Sequence, residues 1–142
     1  MSSLHLSLAG VGDLTLTLNG LDRFLQGSAL PPAMIARICL VADEVLNNIL
    51  SYGEASHGEA GDAGPKVEFH CEVKEGGVSL RFRDQSIPFN PLTYPVPRTD
   101  APLDERPVGG LGIHLVSRLM DRVEYQREGD SNCLTLFKQL AH

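Results

Sequence analysis

Leu4, Leu6 and Leu8 alternate with Ser3, His5 and Ser7, a two-residue period that predicts a short strand with one apolar face. A helix is expected from near Asp13 to Gln26, ending at Gly27, although the alternation of Leu14, Leu16 and Leu18 would also suit a strand over its first half. Pro31-Pro32 opens the next element. There Ile38, Val41, Val45 and Ile49 recur at helical spacing until Gly53, which predicts a long helix from about Pro32 to Tyr52. Residues 53–65 are mostly Gly, Ala, Ser, Glu and His with no large apolar side chain, the composition of an exposed loop. Val67–Val73 and Val78–Phe82 alternate around Glu75-Gly76-Gly77 and predict a hairpin. Residues 86–108 carry six of the nine prolines and little periodicity, so a long, functional or disordered loop is expected. Leu111–Met120 then reads as a helix, and Val123–Gln126 and Leu134–Phe137 as strands around a Glu128-Gly129-Asp130 turn. The order β-α-α-β-β-loop-α-β-β predicts an α+β fold with helices packed on one face of a mixed β-sheet.

Composition narrows the class. With 142 residues, 42% of them apolar, the chain suits one domain, 1–142, with one core. A formal charge of −6 without a run of Lys or Arg lacks the footprint of a nucleic-acid binder and disfavours an electrostatic membrane role. Cys39, Cys71 and Cys133 are odd in number, widely spaced and set in apolar patterns, which reads as reduced core thiols rather than a disulfide frame or zinc site. Neither a signal peptide nor an apolar run of about 20 residues is visible, so a cytoplasmic protein is expected.

Three stretches carry candidate chemistry. On a helical wheel Glu44 and Asn48 fall together on the flank of the Ile38–Ile49 apolar stripe, whereas Asp43 and Asn47 point nearly opposite, to water. The first pair can sit at the rim of a half-buried cleft, where an Asn oxygen suits Mg²⁺ and a carboxylate can orient or deprotonate a nucleophile. Asp84 ends an apolar strand and could accept a hydrogen bond from an adenine amine, although an Asp there is also a common turn former. Gly109-Gly110-x-Gly112 before a helix offers flexible backbone and helix-end N–H groups to phosphates, but without the strand and spacing of the dinucleotide fingerprint. Each suits an ordinary amphipathic helix or turn when taken alone; together they suggest an ATP site.

The order Glu-x-x-x-Asn, then Asp84-Gln85-Ser86-Ile87-Pro88-Phe89-Asn90-Pro91, then Gly109-Gly110-Leu111-Gly112-Ile113 resembles the N box and the two glycine boxes of the GHKL ATPase superfamily. Pro88–Leu92, Leu119–Tyr125 and Asn132-x-Leu134-Thr135-Leu136 look like the stand-alone anti-sigma-factor serine kinases within it. The resemblance covers nearly the whole chain and implies the Bergerat ATP-binding fold, ATP and Mg²⁺. By it Glu44 would be the catalytic base, Asn48 the Mg²⁺ ligand and Asp84 the reader of adenine. Gly109, Gly110, Leu111 and Gly112 would border the triphosphate, and Ser86 and Phe89 would join the nucleotide surface. Residues 90–108 would form a lid from which Arg106 reaches the terminal phosphate. Two residues depart from the pattern: Ser86 stands where a glycine is usual, and Tyr52 where many relatives have His. The implied activity is phosphorylation of a Ser or Thr on a small antagonist-like partner, with a sigma factor or similar regulator bound in an alternative complex. A homodimer is among the implied assemblies; nucleic acid and membrane are not partners. The alternative is an ATP-responsive module that sequesters its partner without efficient phosphoryl transfer.

Overall fold

A computed structural model describes residues 2–57, 67–85 and 110–140. Strand β1 (Ser2–Leu8) leads through a short 3₁₀ turn, Val11–Asp13, into helix α1 (Leu14–Gln26) and then α2 (Pro32–His57). Strands β2 (Val67–Lys74) and β3 (Gly77–Asp84) form the expected hairpin, followed by α3 (Gly110–Leu119), β4 (Arg122–Glu128) and β5 (Ser131–Gln139). The ambiguous start of α1 is helical: Thr17, Leu21 and Leu25 are buried at four-residue spacing, and Leu16, the middle member of the alternation, is 73% exposed. Helix α2 passes Gly53 and ends at His57. One helical glycine costs only about 1 kcal/mol relative to alanine, and tertiary context readily overrides it.

The five strands form one sheet in the order β1-β2-β3-β5-β4. Its neighbours pair antiparallel throughout, which corrects the expected mixed sheet in one respect. The cause is the return of the β4–β5 hairpin. Helix α3 carries the chain from β3 to a β4 running the same way, but β5 inserts between them, so no parallel pair is hydrogen-bonded. Within the β2–β3 hairpin Gly77 is required by proximity, since a Cβ there would lie 2.4 Å from the Lys138 carbonyl oxygen.

Strand alternation sends Leu4, Leu6 and Leu8, Val67, Phe69 and Cys71, Val78, Leu80 and Phe82, and Leu134 and Leu136 to one face. Apart from Leu6, which is half-buried, these residues share one apolar cluster with Leu21 and Leu25 of α1, Ile38, Val41, Val45, Leu46 and Leu50 of α2, and Val116 of α3. Helix α2 lies between α1 and α3 and packs on both. The opposite face of the sheet carries polar side chains, among them His5, Glu68, His70, Arg81 and Arg83. Burying the apolar face, at roughly 25 cal/mol per Å², holds the helical layer to the sheet.

Candidate nucleotide site

On α2 the apolar stripe decides which polar residues are withdrawn from water. Asn48 is 6% exposed, Glu44 is half-buried, and Asn47 is exposed. Both asparagines donate their amide N–H to the carbonyl one turn back, Asn48 to Glu44 at 2.7 Å and Asn47 to Asp43 at 2.9 Å. Asn47 also donates to the Asp43 carboxylate at 2.7 Å. The back-bond fixes the Asn48 rotamer and turns its Oδ1 away from the helix backbone. Among the described residues nothing donates to that oxygen, a nearly buried acceptor of the kind that can take a donor or a cation.

Asp84 lies at the end of β3 on the helix-covered face and is 4% exposed. Its row across the sheet runs Leu8, Val67, Asp84, Asn132 and Arg127, so the apolar face ends in a polar margin. Asn132 Nδ2 donates to Asp84 Oδ1 at 3.3 Å. Asn132 Oδ1 in turn accepts from the Tyr125 hydroxyl at 2.5 Å and from Arg127 Nη1 at 3.2 Å. Sequence reasoning assigned no role to Tyr125, Arg127 or Asn132. Only Asn132 left a signal in the alternation: it shares a face with Leu134 and Leu136, where an apolar residue is the default.

Helix α3 begins at Gly110, and Gly110, Leu111 and Gly112 occupy its first turn, whose N–H groups have no intrahelical acceptor. Packing of α3 on α2 makes these helices neighbours. Ser86, Phe89, Arg106 and Gly109 lie outside the described residues, as do the lid, residues 90–108, and the side chain of Tyr52. The structure thus sets Glu44 and Asn48 on one helix flank, Asp84 at the polar sheet margin, and the glycine-rich helix start on the helix packed against α2. A separate depression lined by His5, Glu68, His70, Arg81 and Arg83 lies on the face of the sheet opposite Asp84 and Asn132. It holds an exposed His5–Glu68 pair at 2.8 Å.

All three cysteines are free thiols. Burial, with smaller contributions from Cys39 and Glu72, pushes the Cys71 thiol up to about 12. Burial and then Asp22 raise Cys39. Higher values leave less of the nucleophilic thiolate, so neither is an activated cysteine. Among the described residues no helix is long and apolar enough to cross a membrane.

The model of the histidine kinase-like ATPase domain matches residues 9–138. The chain belongs to that family. It is a GHKL-type domain, as the sequence boxes imply, and membership of an ATPase family makes ATP its ligand. No curated protein matches in sequence. The fold is similar to the RsbU and RsbW domains of Rv1364c from Mycobacterium tuberculosis, with a TM-score of 0.66 and 15% identity over 99% of this chain. This chain spans 33% of that longer one. It is also similar to a structure of the SiaB-SiaC complex from Pseudomonas aeruginosa, with a TM-score of 0.61 and 12% identity over 96% of this chain and 89% of that one.

Proposed function

We propose that this domain is an ATP-dependent regulatory serine/threonine protein kinase of the anti-sigma-factor type. Its substrate would be a small antagonist-like partner, and a sigma factor or similar regulator would bind in the alternative complex. The observation that carries the reading is Asn48, a nearly buried amide with an oxygen that no described residue satisfies, one turn after a half-exposed carboxylate in an ATPase-family domain. The relatives in fold, an RsbU–RsbW protein and a SiaB-SiaC complex, support a partner-switching role.

The roles follow from the chemistry of the groups. Asn48 Oδ1 would be the protein ligand of Mg²⁺, which normally keeps several waters, takes other oxygens from phosphate, and neutralises charge on the transferring group. Asp84 would accept the adenine amine, and the first-turn N–H groups of Gly110, Leu111 and Gly112 would face the phosphates. Ser86, Phe89, Arg106 and Gly109, which lie outside the described residues, would complete the nucleotide surface. Glu44 would take the proton of the partner's Ser or Thr hydroxyl while its oxygen bonds to the γ-phosphorus. The bond to the β–γ bridging oxygen breaks, and ADP leaves.

A positioned base adds on the order of 10²–10⁴ in rate. Glu44→Gln keeps the shape but not the basicity, so it should retain ATP and partner binding and lose transfer by that factor. Single-turnover assays with labelled ATP and candidate partners from neighbouring genes test this. Equal, readily measured transfer by both proteins would exclude Glu44 as the base. ATP-dependent partner binding by wild type without transfer would establish the sequestering module instead.

A further inference from the structure

The depression on the sheet face opposite the helices has a volume of about 380 Å³, within the size range of small-molecule sites, and its walls come from three neighbouring strands. Antiparallel register sets His5 of β1, His70 of β2 and Arg81 of β3 in one row, and Ser7, Glu68 and Arg83 in the next. All the lining side chains except Glu68 are therefore of basic type, in a chain whose formal charge is −6. Glu68 is already engaged: its Oε2 accepts from the Ser7 hydroxyl at 2.8 Å and lies 2.8 Å from His5 Nε2. Arg83 Nη1 is paired with Glu128 Oε2 at 3.1 Å. Arg81 and His70 have no carboxylate partner among the described residues. The Arg81 guanidinium reaches the Cys133 sulfur, a weak acceptor, at 3.7 Å, and His70 meets the His5 ring in a T-shaped contact with centroids 5.9 Å apart.

We propose that this depression is a second binding site, separate from the nucleotide site, for a phosphate group carried as the free ion or as a small phosphomonoester. Basic groups facing each other across neighbouring strands weaken a sheet, and an anion between them removes that cost. Arginine's rigid fork of N–H donors matches phosphate oxygens two at a time, so Arg81 supplies both charge and orientation. His70, its register partner, has a ring N–H for a further oxygen. A phosphate offers enough oxygens for both residues at once, whereas a carboxylate has only the pair that the guanidinium takes. The bonds of Glu68 to Ser7 and His5 offset the negative charge in the depression. The sheet itself lies between this site and Asp84, which faces the helices, so it is not an extension of the nucleotide surface.

Histidine ring signals in proton NMR read this site directly, because His5 and His70 line it. Inorganic phosphate titrated into the intact protein at fixed pH and ionic strength should shift both rings, assigned with His5→Gln and His70→Gln, along a saturating curve, and chloride should not. Arg81→Gln should weaken phosphate roughly tenfold or more, the scale of a hydrogen bond to a charged group, and Arg81→Lys, which keeps the charge without the fork, by less. Arg81 is exposed, so both variants should keep the fold, which their strand amide signals check. Ribose 5-phosphate separates the two sources: binding tighter than inorganic phosphate assigns a phosphomonoester, weaker or equal binding assigns the free ion, and either supports the site. Asn48→Ala, on the nucleotide side of the sheet, should leave the phosphate curve unchanged. Absence of a saturating shift in wild type, a shift that chloride reproduces, or a curve unaltered in Arg81→Gln would overturn the proposal. Loss of the shift in Asn48→Ala would overturn it too, by placing the phosphate in the nucleotide site.

Discussion

The core of this domain and its rim are built from the same elements but solve opposite problems. In the middle of the covered sheet face β1, β2, β3 and β5 present apolar rows: Leu6, Phe69, Phe82 and Leu134, and beside them Leu4, Cys71, Leu80 and Leu136. Phe69 and Phe82 meet with ring centroids 5.1 Å apart. One row on, the same strands present Asp84 and Asn132, and on the helix above, the stripe Ile38–Val41–Val45 is flanked by Asn48. Apolar burial at these rim positions would add stability, whereas a buried amide or carboxylate costs it unless hydrogen-bonded. The rim therefore gives up stability for directed polar atoms, and the core supplies the rigidity that keeps them directed.

If the division holds, a change in the core should lower stability and leave the nucleotide affinity of folded molecules alone. Phe82→Ala, at a fully buried position, should cost about 3–5 kcal/mol in urea unfolding, while ATP affinity measured well below the midpoint stays near wild type. A large affinity loss in the folded fraction would break the division.

The converse change is Asn48→Ala. Mg²⁺-dependent strengthening of ATP binding should fall roughly tenfold, about 1.4 kcal/mol, with ADP still competing. Titration calorimetry with and without Mg²⁺ reads the difference, and an unaltered Mg²⁺ dependence would return Asn48 to the core.

The smallest effect sharpens the core side. The buried Cys71 thiol titrates near 12 in the folded protein, against an ordinary value of 9.0 for an exposed thiol. Above pH 9 the unfolded chain releases this proton and the folded one does not, so stability present below that pH is lost between 9 and about 12. By pH 9.5 the loss should stay below about 1 kcal/mol. Cys71→Ala should remove that part of the decline in unfolding curves at pH 8.0 and 9.5, and an identical decline in the variant would count against it.

Local periodicity was enough to show in sequence the strands, the three helices, the β2–β3 hairpin and the layer of helices on a sheet, because spacings of 2 and 3.6 report directly on which side chains share a face. It also separated Glu44 and Asn48 from Asp43 and Asn47, since i and i+4 on one helix are fixed by helix geometry. Alternation misled where it was accidental. Leu14, Leu16 and Leu18 read as strand or helix until packing of Leu21 and Leu25 against the core settled the matter. The antiparallel sheet was not legible, because the insertion of β5 between β3 and β4 depends on how distant strands pair and not on either strand's own pattern. Nor was the network around Asp84. Tyr125, Arg127 and Asn132 are polar residues at positions 41, 43 and 48 beyond it in the chain, and only the register of β3, β5 and β4 makes them neighbours. The chain by itself thus determined what each element is and which of its faces is apolar; the tertiary structure decided which polar residues meet at the rim, because such meetings are long-range and directional whereas periodicity is local.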